Sequence, residues 1–212
     1  MPRLGRSFFA RDTVTVAREL LGQRLVRRLD AGQRLAGIIV EAEAYVGDSD
    51  KACHASVGRT ERNAVMFGPA GHAYVYFIYG MYYCLNVVTE RPGFPAAVLI
   101  RALEPVEGLE YMAELRGGRP AHELTSGPGR LCQALAIDRR LNGADLCGDA
   151  PLWIEAGETP AAIVAGPRVG VRGDALALER PWRFYVLDNP FVSGGRPALR
   201  PPRRAGISPR ST

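Results

Sequence analysis

The stretch "IIVEAEAY" sets Glu41, Glu43 and Tyr45 at alternate positions. In a β-strand that spacing sends all three side chains to one side, while Ala42 and Ala44 face the other. Two carboxylates so close repel, which does little for folding. In a cleft they serve as a base and its electrostatic neighbour, one shifting the proton affinity of the other. A solvated strand face carries the same pattern and stays open at this point.

Aromatic residues supply a second feature. "YVYFIYGMYYCLN", from Tyr74 to Asn86, holds five tyrosines in thirteen residues. A core strand would use Val and Ile, because a buried phenol must find a hydrogen-bond partner. Tyr74 and Tyr76 share a strand face, and Tyr79 stands beside Gly80 where a turn lets a ring project. A projecting ring has the shape of a wedge able to enter a base stack. A ring on a pocket wall can stack on the displaced base, worth about 1–3 kcal/mol. The alternative is an aromatic core hairpin. Wedge, pocket ring and carboxylate together are the parts of an enzyme that turns a base out of the helix.

The segment "DKACHASVGRTERNAVMF" brings His54, Arg59, Arg62 and Asn63. Cys53 and His54 are adjacent, which is poor geometry for two ligands on one metal, so a Cys/His metal site is rejected. Arg59 and Arg62 could hold phosphates or form loop ion pairs. In "TSGPGRLCQAL", Ser126 and Gly127 precede a helix start and Arg130 follows it, an arrangement that suits either a phosphate or a plain capped helix.

These residues need elements to hold them. Asp12 can cap a helix whose Val16, Leu20 and Leu21 share a face and whose stop is Gly22. Two strands follow around the turn at Asp30, Ala31 and Gly32, the second carrying the carboxylates. Residues 46–73 lack periodicity and read as a long functional loop. Strands over 74–78 and 82–89 form the tyrosine hairpin; "AAVLIRALEP" is a further strand, and "GLEYMAELRG" and the stretch from Pro128 are helices. Strands near 152–155, 161–164 and 183–187 complete a mixed, largely antiparallel sheet.

With 212 residues, 47% of them hydrophobic, the chain can bury one sizeable core, and one domain over residues 1–193 is expected. No apolar run is long enough to span a membrane and no signal peptide is evident, which points to a cytoplasmic protein. The four cysteines show no metal or disulfide spacing and read as reduced thiols. The net charge of +5 arises in the tail: residues 194–212 hold five arginines and no acid. That tail reads as a disordered, solvated end or as a weak electrostatic arm on DNA.

Six ordered motifs, "VEAEAYVGDSDKACHA", "GRTERNAVMF", "YVYFIYGMYYCLNVV", "AVLIRALEPVEGLE", "SGPGRLCQAL" and "RFYV", resemble the alkyladenine (3-methyladenine, methylpurine) DNA glycosylase family. The resemblance runs from about Phe8 to Ser193. It implies a single α+β domain around a curved, largely antiparallel sheet flanked by helices. It also implies a monomer that excises alkylated or deaminated purines from double-stranded DNA, with no metal and no cofactor. Carried over by position, Glu43 is similar to the water-activating base, and Arg101 to the residue that helps hold the water. Tyr45, His54 and Tyr76 match the pocket that sandwiches the flipped base. Tyr79 matches the intercalating wedge. Asn86 resembles the residue that crowds the exocyclic amine of guanine.

The chemistry fits these residue types. An N3- or N7-alkylated purine is already cationic and leaves readily, so the site needs stacking, a positioned water and a carboxylate beside the sugar's developing positive charge. A lysine nucleophile would add lyase activity, but the only lysine, Lys51, lies in a charged loop. Two other classes stay open: a non-catalytic module that binds damaged DNA, against which Glu43 argues, and a hydrolase of free nucleosides, in which Tyr79 would have no task.

Overall fold

The computed structural model describes residues 1–194; from residue 195 onward the basic tail lies outside the described residues. The chain opens with α1 (Arg6–Phe9) and α2 (Thr13–Glu19). Asp12 caps α2 as expected, accepting from the Thr15 N–H at 2.7 Å. The chain then turns at Gly22, whose φ of +86° excludes a side chain; a Cβ there would lie 1.9 Å from the Glu158 carbonyl.

The strands β1 (Arg24–Arg28), β2 (Arg34–Val46), β3 (Ala73–Ile78), β4 (Tyr82–Val88) and β5 (Ala96–Glu107) follow, the long loop between β2 and β3 holding only two short 3₁₀ turns. Then come α3 (Leu109–Leu115), α4 (Ala121–Leu124), α5 (Pro128–Ala134), β6 (Leu152–Glu155), β7 (Ile163–Gly166), α6 (Ala175–Glu179) and β8 (Arg183–Val186). All eight strands join one open sheet in the order β3-β4-β5-β2-β1-β6, with β8 pairing β2 and β7 pairing β8. Every pairing is antiparallel. The domain is α+β.

β2 is the hub. It pairs with β5 along its length, with β1 over its first half and with β8 at Glu41, Ala42 and Glu43. Its alanines 42 and 44 belong to the main core together with Leu20, Ile39, Ile100, Leu103 and Leu131. The expected strands and the helices at Pro128 and "GLEYMAEL" are present. The short helices α1, α4 and α6 were not anticipated, because four or five residues are too few to display a helical period. No helix among the described residues is long and apolar enough to cross a membrane.

Candidate active site

Both carboxylates of β2 are fully buried, so a solvated strand face is ruled out. The ladder between β2 and β5 is irregular here. It passes from the pair Ile39 and Leu103 to Glu41 and Ala102, then to Ala42 and Ile100, and Arg101 has no partner across the ladder. Such bulges re-aim side chains. Arg101 comes to lie between the two acids, its Nε donating to Glu41 Oε1 at 2.8 Å and its Nη1 to Glu43 Oε2 at 3.3 Å. Glu41 takes further bonds from Arg183 Nε at 2.7 Å and from the Ser193 N–H at 2.6 Å.

Glu43 is held differently. Besides Arg101, the Tyr45 hydroxyl donates to Glu43 Oε2 at 2.8 Å and the Val169 N–H to Glu43 Oε1 at 2.7 Å. Tyr45, Arg101 and Val169 all line a cavity of about 610 Å³, and the Glu43 carboxylate lies directly behind that wall. Burial, followed by the charge of Glu43, pushes the Tyr45 phenol well above its ordinary range. It stays a hydroxyl donor at neutral pH.

The cavity also gathers His54, Tyr76 and Asn86, three of the residues expected at a pocket. The His54 ring stands edge-on to Tyr76 with centroids 4.6 Å apart, and its Nδ1 is 2.9 Å from the Tyr74 hydroxyl. Burial lowers the proton affinity of His54, and the charge of Arg62 adds to the effect, so the ring is neutral in the folded protein at pH 7. Burial raises the phenol of Tyr74 to about 12 and that of Tyr76 further. Asn86, across the hairpin from Tyr74, donates its side-chain amide to the Tyr74 carbonyl at 3.1 Å. The tyrosine hairpin is therefore a half-wet wall and not a closed aromatic core.

At the hairpin tip Tyr79 is 78% exposed. Its φ of +54° and that of Gly80, +69°, form a turn closed by the Met81 N–H on the Ile78 carbonyl. A tyrosine in the left-handed region costs about 1–2 kcal/mol, and so exposed a ring has little packing to offset it. Backbone strain of this kind collects at functional positions.

The arginines divide. Arg62 is exposed, lies 5.5 Å from the Tyr76 ring and donates to the Phe77 carbonyl, beside the pocket wall. Arg130 lines the cavity and, with Ser126, a smaller one of about 320 Å³; its Nη1 donates to Ser126 Oγ at 3.0 Å. Arg59 is exposed, 5.9 Å from the Phe67 ring, and does not line the cavity.

Sequence reasoning passed over Asp50, Arg168 and Val169. Arg168 binds Asp50 through both guanidinium nitrogens, at 2.6 and 2.8 Å, with neither side chain exposed to solvent. The one available signal was the pair of glycines in "RVGVRG", which marks a segment that must bend.

Residues 7–190 match the methylpurine-DNA glycosylase (MPG) family. A protein of Methanocella arvoryzae, provisionally named a 3-methyladenine DNA glycosylase, is 58% identical over 198 residues, which is 93% of this chain and 98% of its own. A protein of Carboxydothermus hydrogenoformans with the same provisional name is 53% identical, covering 90% of this chain and 98% of its own. The DNA-3-methyladenine glycosylase of Mus musculus is 49% identical over 90% of this chain and 61% of its own length. This chain belongs to the methylpurine-DNA glycosylase family.

Proposed function

We propose that the protein is a monofunctional DNA glycosylase of base excision repair, acting on alkylated or deaminated purines in duplex DNA. The damaged nucleotide turns out of the helix into the 610 Å³ cavity, which is roomy enough for a purine. Tyr45, Tyr76 and His54 stack on and border the base. Tyr79 fills the gap that the base leaves, and Asn86 crowds a guanine amine. Arg130, at the cavity edge, and the exposed Arg62 take phosphates; Ser126 orients Arg130, and Arg59 adds charge.

Hydrolysis follows from the acids. As the glycosidic bond breaks, the sugar gains positive charge beside the buried Glu43. Glu43 takes a proton from a water held with Arg101, and the resulting hydroxide adds to C1′ opposite the departing base. A cationic alkylated purine departs neutral, whereas a neutral lesion such as hypoxanthine departs as its anion and takes up the proton that Glu43 removed from the water; the products are a free purine and an abasic site. The observation that carries this reading is the grip of three donors on Glu43, from Tyr45, Arg101 and Val169, at the wall of an aromatic cavity. All three donors line the cavity, so the carboxylate that they fix stands next to the space that the water and the sugar take.

The test uses duplexes that each carry one lesion: hypoxanthine, ethenoadenine or 7-methylguanine. Release of the free base, with strand scission only after alkali, is the expected result. Binding without release from any of them would favour the non-catalytic module, and scission without alkali would mean a lyase.

A further inference from the structure

The Asp50–Arg168 pair has no part in the chemistry above, yet it is among the most buried charges of the molecule. Removing two charges from water carries a solvation cost that their attraction often fails to offset, and apolar residues of similar volume often stabilise a fold better. Stability alone is a weak reason for the pair. Its surroundings give a stronger one.

Arg168 Nη1 also donates to the carbonyl of Ala44, the residue between Glu43 and Tyr45, at 2.9 Å. Its Nη2 donates to the Ala177 carbonyl at 2.9 Å. The guanidinium lies 4.8 Å from the Tyr45 ring and 5.2 Å from that of Trp182. The next residue, Val169, gives its N–H to Glu43. Asp50 in turn accepts from the N–H groups of Val46 at 3.3 Å and Ala52 at 3.2 Å, on the two sides of the turn that leads to His54. One ion pair joins β2 at Ala44, the loop before His54 and the backbone that reaches Glu43.

We propose that Asp50 and Arg168 are positioning residues for the hydrolytic step, holding the Val169 N–H and the Tyr45 hydroxyl at hydrogen-bond distance from Glu43. This rests on the reading of Glu43 as the base. If the pair loosens, two of the three donors drift and the carboxylate loses its aim. A displacement of about 1 Å at a reacting group can lower a rate by up to roughly 100-fold.

The test measures two quantities for each variant on a duplex containing ethenoadenine: single-turnover excision, and the flipping equilibrium from the fluorescence of the lesion. Arg168→Lys keeps the charge and gives up the planar fork. Asp50→Asn keeps the shape and gives up the charge, and guards against a folding failure of the first. Excision slows by about 10- to 100-fold in both, a loss well beyond any in the flipping equilibrium, to which the rings of Tyr45 and His54 still contribute. General loss of packing would lower both quantities together. Equal losses in the two readouts, or parental excision by both variants, would overturn the proposal. Parental excision by Glu43→Gln would instead remove the base assignment, and this inference with it.

Discussion

Arg101 and Glu41 form an ion pair 2.8 Å long with almost no solvent contact, the side chains being 8% and 0% exposed. Glu41 is also the acceptor for Arg183 and for the Ser193 N–H. Of the three donors to Glu41 only Arg101 lines the cavity, whereas all three donors to Glu43 do, so Glu41 sits where it orients Arg101 toward Glu43.

Glu41→Gln takes the counter-charge from the part-buried Arg183 and leaves the buried Arg101 with Glu43 alone. We expect a loss of about 3–5 kcal/mol of stability, the usual result of removing one member of a buried pair. Urea unfolding with a parental midpoint would show that the network tolerates a neutral amide at this position.

Tyr79 combines a positive φ with a ring that packs on little else, so its removal should affect DNA and spare the fold. Tyr79→Ser is expected to keep the parental thermal midpoint and lower lesion affinity by up to about 1–3 kcal/mol, the worth of one aromatic stack. Affinity for undamaged duplex, governed by phosphate contacts, should change much less. A fluorescence titration with ethenoadenine checks the cause. Equal flipping by variant and parent would mean that the tip ring is not the wedge.

His54 gives a prediction about pH. Burial, with a contribution from Arg62, lowers its proton affinity below the ordinary value of 6.5. The unfolded chain then binds this proton more readily than the folded one, so stability falls as pH drops through about 6.5 and levels off below the folded value. His54→Gln removes this contribution. Urea midpoints at pH 7.5 and pH 5 should differ less in the variant than in the parent, and an equal difference in both would contradict the buried neutral ring.

How far the sequence reached depends on the range of the interaction. The spacing of Glu41, Glu43 and Tyr45 and the glycine beside Tyr79 are local features, and the structure places Tyr45 on the cavity wall and Tyr79 at an exposed hairpin tip. The burial of the two acids was not legible, because it depends on Arg101 from β5 and on Arg183 and Ser193 near the end of the domain. The same holds for Asp50 and Arg168, which meet across 118 residues of chain and give no local sign of each other. The bulge that turns Arg101 toward both carboxylates arises from a mismatch between two strands, and neither strand displays it alone.

Glu43→Gln asks whether this carboxylate activates the water. The amide keeps the size of the side chain and can still accept from the Val169 N–H or the Tyr45 hydroxyl, but it cannot take a proton. Under single-turnover conditions on a duplex with one ethenoadenine, the variant should bind and flip the lesion as the parent does. It should release base at least about 100-fold more slowly, the lower end of what a positioned general base contributes. Release at a rate near the parental one, with flipping intact, would contradict the account.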